Sequence, residues 1–254
     1  MIFLLHLIYL FRFINSQIQP KIIGGYAVYP PNKYPFTASL QFFGQHYCGG
    51  VLYRQDLVIT AAHCSDVDPR QVEVVSRLYN LTLPDSQQGA KRSKVKSINK
   101  HPQYNPDTYY NDIAVWKLST YSSRNLNIYL DTYGISYYDN TPLKVVGWGA
   151  LQEKGAASPV LMEANVPVFN SNTCVNNYKK INYTIVPQYT LCAGYAVGGV
   201  DSCTGDSGGP LFYPSKYGNY LVGIVSVGSG CAKKDLPGIY TRIYNYNNFI
   251  NSYL

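Results

Sequence analysis

Residues 205–210 read Gly-Asp-Ser-Gly-Gly-Pro and carry more information about the architecture than any other segment of the chain. They place Ser207 directly after an aspartate and before two glycines. Glycine permits a sharp turn with φ > 0 and leaves no Cβ to obstruct an approaching carbonyl. The backbone N–H groups of Gly205 and Ser207 can then point at one position and stabilise a developing oxyanion. An ordinary loop could have the same sequence, so the rest of the chain must decide between the two interpretations.

A nucleophilic serine needs a base, because its hydroxyl is a weak nucleophile at its ordinary pKa. His63 follows the apolar run 57–59, which predicts a buried strand that would aim the imidazole from a rigid edge. Asp112 precedes a second apolar run, 113–115, and could fix the tautomer of His63. These two residues therefore complete a candidate catalytic set with Ser207.

The order His63, Asp112, Ser207, the motifs around these residues and the cysteine set resemble those of the trypsin-like (chymotrypsin-fold) serine peptidases. The resemblance extends from Ile22 to the C-terminus. It implies an all-β fold of two six-stranded antiparallel β-barrels with a C-terminal α-helix. It also implies that the three residues form a catalytic triad and that the amides of Gly205 and Ser207 form an oxyanion hole.

The composition is that of a globular protein. The chain has 254 residues, of which 46% are hydrophobic and 14% charged, which excludes a disordered chain and suits one two-barrel unit or two small domains. The formal net charge is +7, and residues 91–96 contribute four of the positive charges. Such a run could bind an acidic polymer, but we expect a solvated loop. The 26 tyrosines are scattered, so we expect no nucleic-acid partner.

Residues 1–14 form an apolar run that is too short to span a bilayer and is typical of a secretory signal peptide. No Lys or Arg precedes the run and Arg12 interrupts it, so a membrane anchor is the alternative. We expect signal cleavage near Ser16, a secreted, extracellular protein, and no membrane partner.

The six cysteines predict disulfides, because their number is even and the chain has the features of a secreted protein. A metal site is the other interpretation, but no pair has CxxC spacing. The family resemblance selects, from fifteen possible connectivities, the pairs Cys48–Cys64, Cys174–Cys192 and Cys203–Cys231. Residues 77–88 lack the paired glutamates of the family's calcium loop, so we expect no metal and no cofactor. Asn80 and Asn182 begin glycosylation sequons.

Short β-type runs recur between Gly, Pro and Asn, and helical spacing is strong only near the C-terminus. The polar segment 121–140 is interpreted as the link between two barrels, with the triad in the cleft between them. The predicted strands are 37–43, 57–60, 72–75, 113–118, 143–147, 221–227 and 238–243. The predicted organisation is a signal peptide at 1–16, a propeptide at 17–21 and a peptidase unit at 22–254, with barrels at about 22–125 and 140–240 and a helix at about 242–254.

Residues 21–25 read Lys-Ile-Ile-Gly-Gly and match the family's activation segment. The resemblance implies cleavage after Lys21 and insertion of the new Ile22 ammonium beside Asp206. A buried carboxylate without a cation is costly, so the ammonium would stabilise the active conformation. His46 and Ser39 match positions that hold this aspartate in the uncut form, although His46 could equally be a packing residue.

Asp201 lies six residues before Ser207, where the family has an aspartate at the base of the primary pocket when the substrate side chain is Lys or Arg. Gly228 and Gly238 match wall positions and have no side chains to close the pocket. Ser202 and Ser226 could add hydroxyl contacts. Three residues depart from the family pattern. Val227 replaces the usual tryptophan, which predicts weaker or broader binding of residues upstream of the scissile bond. Thr204 replaces a glutamine, and Ile23 replaces the usual valine, a minor change.

These features predict a secreted, monomeric serine endopeptidase, made as a zymogen, that hydrolyses peptide bonds after Arg or Lys through an acyl-enzyme. Its expected partners are protein or peptide substrates and proteinaceous protease inhibitors. The alternative is a catalytically inactive binding protein on the same scaffold. A lipase or esterase is disfavoured because its chain order is Ser, acid, His.

Overall fold

The structure, a computed structural model, describes residues 22–120 and 126–254. The predicted signal peptide, the propeptide with Lys21 and part of the predicted linker lie outside the described residues. Within the described residues the helices are α1 (Asp85–Gln88), α2 (Ser171–Lys179) and α3 (Asn247–Asn251). The strands are β1 (Tyr26–Ala27), β2 (Thr37–Phe42), β3 (Gln45–Arg54), β4 (Leu57–Thr60), β5 (Val72–Ser76), β6 (Lys91–Lys100), β7 (Ala114–Leu118), β8 (Ile128–Leu130), β9 (Pro142–Gly147), β10 (Met162–Pro167), β11 (Thr190–Ala193), β12 (Pro210–Ser215), β13 (Gly218–Val227) and β14 (Gly238–Arg242).

Strands β2 to β7 form a closed antiparallel barrel in the order β2-β3-β4-β7-β6-β5. Closure pairs every strand on both sides and leaves no exposed edge. All four residues of β4 are buried, as its unbroken apolar pattern predicts. Since β4 is paired with β3 and β7 in the middle of this barrel, it is a rigid support for the residues that follow it.

The second half of the chain forms an eight-stranded sheet whose main path is β1-β10-β9-β12-β13-β14-β11, with β8 paired in parallel to β13. A bridge between Val168 and Ala193 joins the end of β10 to the end of β11, and the Gly194 N–H donates to Pro167 O at 2.9 Å. The protein is therefore mostly β, with one closed six-stranded barrel, a second sheet and a short C-terminal helix.

The first strand crosses between the two halves. Tyr26 and Ala27 pair with Glu163 and Met162 of β10, although they precede the closed barrel in the sequence. The strand pairing thus places the N-terminal segment in the second sheet, whereas the predicted organisation places the first barrel's start at residue 22. This crossing brings the segment that begins at Ile22 close to the second half of the molecule.

The lysine-rich run 91–96 lies in β6, so the expectation of a solvated loop was wrong. Ser93 and Val95 are buried, whereas Arg92, Lys94 and Lys96 are exposed. This alternation is the period of a strand with one face in a core. The sequence did not reveal this alternation, because Val95 is the single apolar residue among the two buried positions of the run.

The C-terminal helix is shorter than predicted. A 3-10 turn at Ile243–Tyr246 precedes α3, which ends at Asn251. Helix α2 was not predicted, because its hydrophobic spacing is weak. Its one sequence signal is the cap Asn170, whose side chain accepts a hydrogen bond from Thr173 N at 2.9 Å. The predicted linker contains β8 and a 3-10 turn at Ile135–Tyr137.

The two halves pack against each other through aromatic rings. Phe212 of β12 meets Phe36 and Tyr34 edge-on, at centroid distances of 5.1 and 5.2 Å. Edge-to-face aromatic pairs add to the free energy gained by burying their area. In the described parts of the chain, no helix has the length and apolar character needed to cross a membrane.

Candidate active site

The loop that carries Ser207 is fixed by close backbone contacts with the closed barrel. Gly208 has φ of 78°, and a Cβ on it would lie 2.1 Å from Thr60 Oγ1. The Gly49 N–H donates to Ser207 O at 2.7 Å. Gly205 also has a positive φ, of 98°, which side chains disfavour. The glycines of the motif therefore allow the serine loop to contact the end of β4.

His63 lies just after β4, in a 3-10 turn that spans His63–Ser65. The disulfide Cys48–Cys64 joins this turn to β3. The Trp116 indole donates to Ser65 Oγ at 2.9 Å from inside the barrel. These contacts fix the backbone that carries the imidazole, whose side chain is 22% exposed.

Asp112 is fully buried and holds His63 through two bonds. Its Oδ1 accepts from the His63 backbone N–H at 2.9 Å, and its Oδ2 faces Nδ1 at 2.8 Å. The Ser226 hydroxyl donates to the same Oδ2 at 2.6 Å, and the Thr241 hydroxyl donates to Asp112 O at 2.7 Å. A carboxylate at Nδ1 fixes the tautomer in which Nε2 is free to accept a proton.

Ser207 enters the site from the other half of the molecule. It lines a cavity together with Ser226, the residue that donates to Asp112. Among the hydrogen bonds of the described residues, none joins the Ser207 hydroxyl to His63. Such bonds are often long before substrate binds and tighten in the complex. The structure thus joins His63 to Asp112 directly, and Ser207 shares a cavity with Ser226, the residue that donates to Asp112.

The cavity has a volume of about 290 Å³ and brings together all the residues predicted to bind the substrate side chain. These residues are Asp201, Ser202, Ser226, Gly228 and Gly238. Its remaining walls, which the sequence did not identify as such, are Glu153, Lys154, Cys203, Thr204, Val225, Val227, Gly230 and Cys231.

Asp201 is a buried carboxylate without a cationic partner in the described residues. Its Oδ2 accepts from Ala232 N at 3.0 Å and its Oδ1 from the Ser202 hydroxyl at 3.5 Å. Burial raises the pKa of Asp201 to about 7, and the hydrogen bonds offset this shift only in part. A Cβ on Gly238 would lie 2.6 Å from Oδ1, so glycine keeps the carboxylate open to the cavity.

Asp206 is a second buried carboxylate. It accepts hydrogen bonds from Gly149 N at 2.8 Å and Cys203 N at 2.9 Å. Burial raises its pKa to about 6. Cβ atoms on Gly147 and Gly149 would lie 2.1 and 2.3 Å from its oxygens, so these glycines make the space that it occupies. No local sequence signal could have linked them to Asp206, because they lie on a different loop.

The segment that follows Lys21 lies against the cavity. Ile22 is fully buried, and Ile23 forms an antiparallel bridge with Asp201, whose N–H donates to Ile23 O at 3.2 Å. Ile22 has φ of 63°, which is unfavourable for a β-branched residue. Ile22 and Asp206, the residues predicted to pair on activation, thus belong to the same region as the predicted pocket.

His46 contacts the loop that carries Gly205. Its Nε2 lies 3.0 Å from Gly205 O and its Nδ1 lies 2.8 Å from Ser39 Oγ. Burial lowers the pKa of His46 to about 4, so the ring is neutral, with Nε2 as the donor to the carbonyl. In this conformation the imidazole supports the loop of Gly205, and the carboxylate of Asp206 is bonded to backbone amides instead.

Three disulfides join the pairs that the family resemblance implies: Cys48–Cys64, Cys174–Cys192 and Cys203–Cys231. Ligand atoms of Cys48, His63 and Cys64 cluster within 4.8 Å. Both sulfurs are bonded to each other, so they cannot act as thiolate ligands for a metal. The cluster is therefore a structural brace for the turn of His63.

Tyr109 is a neighbour of the imidazole that sequence reasoning missed. Its ring meets His63 edge-on at 5.7 Å. Glu153 and Lys233 form an ion pair of 3.3 Å beside Gly230 at the cavity rim. Because these contacts join separate loops, the local sequence gives no sign of them.

The chain is similar to curated proteins over almost its whole described length. The family model described as Trypsin matches residues 22–250. Trypsin I-P1 of Gallus gallus is 36% identical over 94% of this chain and 91% of its own length. Trypsin 5G1 of Aedes aegypti is 35% identical over 91% of this chain and 84% of its own. Serine protease 56 of Homo sapiens is 35% identical over 92% of this chain, which spans only 39% of that protein.

Proposed function

The chain belongs to the trypsin family of serine proteases, and from this premise we propose that it is an endopeptidase that cuts peptide bonds after Arg and Lys. The observation that carries the proposal is Asp201, a buried carboxylate that forms no salt bridge among the described residues, at a cavity lined also by Ser207. A guanidinium or ammonium would supply the cationic partner that these residues do not provide. Gly228 and Gly238 leave the space for it.

The proposed chemistry is acyl transfer. Ser207 attacks the peptide carbonyl while His63 Nε2 accepts its proton and then passes that proton to the leaving amine. Asp112, bonded to Nδ1 at 2.8 Å, orients the imidazole and stabilises its charged form. The amides of Gly205 and Ser207 would hold the oxyanion, and a water molecule would then hydrolyse the acyl-enzyme. The Ser226 hydroxyl supports this arrangement through Asp112 Oδ2.

We also propose that the protein is made as a zymogen and activated by cleavage after Lys21. Asp206 is buried with backbone donors but without a cation in the described residues, so a new ammonium at Ile22 would relieve the cost of ionising it. Cleavage would also remove the backbone torsion that is unfavourable at Ile22. The Arg or Lys preference of the proposed pocket would permit activation by another copy of this chain.

The remaining expectations about domains and location are part of the proposal. The bridge between Val168 and Ala193 supports closure of the second sheet into a barrel. Three disulfides are typical of oxidising compartments and support secretion, with removal of residues 1–16 and then 17–21. We expect a monomer that meets proteinaceous inhibitors through the same cleft.

An inactive binding protein on the same scaffold is not favoured. His63 and Asp112 are paired, and the cavity beside Ser207 is open. Val227, which lines that cavity in place of the family's tryptophan, would affect the binding of residues upstream of the cut without touching the reacting groups.

The deciding experiment compares the full chain before and after cleavage at Lys21 by an immobilised lysine-specific protease that is then removed. We expect the processed protein to begin at Ile22, to hydrolyse an Arg p-nitroanilide and to lose this activity when an organophosphate labels Ser207. The matched controls are Ser207→Ala, which should neither react nor cleave, and Lys21→Gln, which should stay uncut and nearly inactive. An uncut Lys21→Gln protein with full activity would overturn the activation step, and a correctly processed protein without label or cleavage would favour the inactive scaffold.

A further inference from the structure

A second cavity, of about 340 Å³, shares no residue with the one at Asp201. Five tyrosines line it, from the end of β3, from β8 and the turn after it, and from the hairpin between β12 and β13. We call them the tyrosine groove: Tyr53, Tyr129, Tyr133, Tyr217 and Tyr220. Leu130, Thr132, Asn247 and Asn251 complete the lining.

Strand pairing builds the groove. Tyr129 of β8 and Tyr220 of β13 are direct partners in the parallel pair, and their rings lie 5.8 Å apart. Tyr133 meets Tyr220 from the other side at 5.9 Å, edge-on. A Cβ on Gly218 would lie 2.5 Å from the Tyr129 ring, so this glycine gives the ring its place. The array is thus a product of the fold and not of chance exposure of single side chains.

The chemistry of the lining limits the ligand. None of the cavity's lining residues is charged. Within residues 22–120 and 126–254, no hydrogen bond uses the phenol oxygen of any of the five tyrosines. Tyr133 and Tyr217 are 73% and 74% exposed. The groove therefore offers aromatic faces together with unused hydroxyl donors, and it suits a ligand whose bound part is uncharged and has apolar surfaces and many acceptors.

The groove continues into a neighbouring cavity of about 280 Å³ that shares Tyr53 and Tyr129 with it. Two recesses separated by aromatic side chains fit a ligand that repeats along its length. Two cations lie next to groove tyrosines: Arg54, which lines the second recess, is 5.3 Å from the Tyr53 ring, and Lys216 is 4.8 Å from the Tyr217 ring.

We propose that the tyrosine groove binds a proline-rich peptide segment in the polyproline II conformation, with acidic residues at its ends. This helix has no internal hydrogen bonds, so its carbonyls remain free to accept from phenol hydroxyls. Its proline rings pack on aromatic faces, and aromatic-lined grooves are the usual sites for such segments. Arg54 and Lys216 favour acidic flanks.

The site would act apart from peptide-bond cleavage, for example by holding a partner or a protein substrate remote from Ser207. The proposal does not depend on the proposed substrate preference. Binding can be measured on the full, uncut chain.

The test is fluorescence anisotropy with a fluorescein-labelled peptide of Pro-Pro-Leu repeats with two glutamates at each end. We expect saturable binding to the full chain, weaker binding when lysines replace the glutamates, and none when glycines replace the prolines. Tyr133→Ala and Tyr217→Ala should each raise the dissociation constant at least about fivefold, as aromatic anchors do. Both side chains are largely exposed, so neither change threatens folding. The matched control is Tyr138→Ala, a tyrosine that is 67% exposed and outside the groove, which should leave the constant unchanged.

Failure to saturate at about 1 mM peptide would overturn the proposal. So would binding that Tyr133→Ala and Tyr217→Ala leave intact, since the peptide would then lie elsewhere. A hexasaccharide that binds in a tyrosine-dependent way while the peptide does not would identify a carbohydrate site instead. Hydrolysis of a small Arg substrate by the processed Tyr133→Ala and Tyr217→Ala variants should stay unchanged. Peptide binding and peptide-bond cleavage are thus tested separately, and either proposal can fail without the other.

Discussion

Asp112 and Asp201 are both buried carboxylates, but among the described residues only Asp112 is paired with an ionisable side chain. Asp112 is bonded to the imidazole and backbone N–H of His63 and to the hydroxyl of Ser226. Asp201 has a backbone N–H at 3.0 Å, a long hydroxyl contact and a raised pKa of about 7. In general, a buried charge is stable when it is paired and hydrogen-bonded. The site of Asp112 is therefore preorganised by the protein itself, whereas under the proposed function the carboxylate of Asp201 would be paired by the cation of a substrate.

The largest effect is expected when the pair formed by Asp112 and His63 is broken. Asp112→Asn should lower kcat of the processed enzyme by about 10⁴-fold, which is the loss known for the corresponding change in the chymotrypsin-type triad, because the imidazole adopts the wrong tautomer. Steady-state kinetics on an Arg p-nitroanilide measures it. Asp66→Asn, at an exposed aspartate paired with Lys100, is the matched control and should cost little. A loss of only a few-fold would mean that Asp112 does not orient the base.

The next largest effect is expected when the carboxylate of Asp201 is removed. Asp201→Ser should lower kcat/KM for an Arg substrate by about 10²–10⁴-fold, because losing one partner of a buried ion pair costs about 3–5 kcal/mol. Organophosphate labelling of Ser207 should be retained, since that reaction needs no cation. Asp107→Ser, at an exposed aspartate, serves as the control. Unchanged cleavage after Arg would show that the cavity does not select the substrate.

A smaller effect tests the link between the two regions. Ser226 donates to Asp112 Oδ2 at 2.6 Å and also lines the cavity of Asp201. Ser226→Ala should lower kcat by about 10–100-fold, since a hydrogen bond to a charged group contributes about 1.5–3 kcal/mol. The thermal unfolding midpoint of the variant should stay close to that of the exposed Ser119→Ala, which separates a loss of kcat from a mere loss of stability.

The smallest effect is a pH dependence. At pH values below its pKa of about 7, the Asp201 carboxyl of the free enzyme is protonated and neutral, so it must lose a proton before it can pair with a cation. The inhibition constant of benzamidine should therefore rise about tenfold between pH 8 and pH 6, because the ionised fraction falls by that factor. Asp201→Ser should bind benzamidine weakly at both values. A constant that does not change with pH in the parent enzyme would show that the carboxyl stays ionised throughout.

Much of the fold followed from local patterns. The seven predicted strands all correspond to observed strands, such as Leu57–Thr60, because an apolar or alternating run specifies a strand without reference to its partners. The run 91–96 was misread since its charges lie on the solvent face of β6. Helix α2 was missed because most of its side chains are polar or exposed, which leaves little hydrophobic periodicity.

The candidate site was predictable for a different reason. Ser207, His63 and Asp112 lie in short motifs whose residue types suit the chemistry, and it was the combination and the chain order of these motifs that identified the three candidates. The contacts around these residues could not be predicted in the same way. Gly147 and Gly149 make room for Asp206, and Tyr109 packs on His63, through loops that are distant in the sequence.

The sequence by itself determined which residues could carry the reaction, how many cysteines could pair, and where most strands lie, because nucleophile, base and strand period are local properties. Only the tertiary structure decided that the segment after Lys21 crosses to the second sheet, that His46 bonds to Gly205 while Asp206 faces amides, and that five scattered tyrosines share one groove. Those facts depend on strand register and on the desolvation of buried groups. Both are set by contacts between residues far apart along the chain.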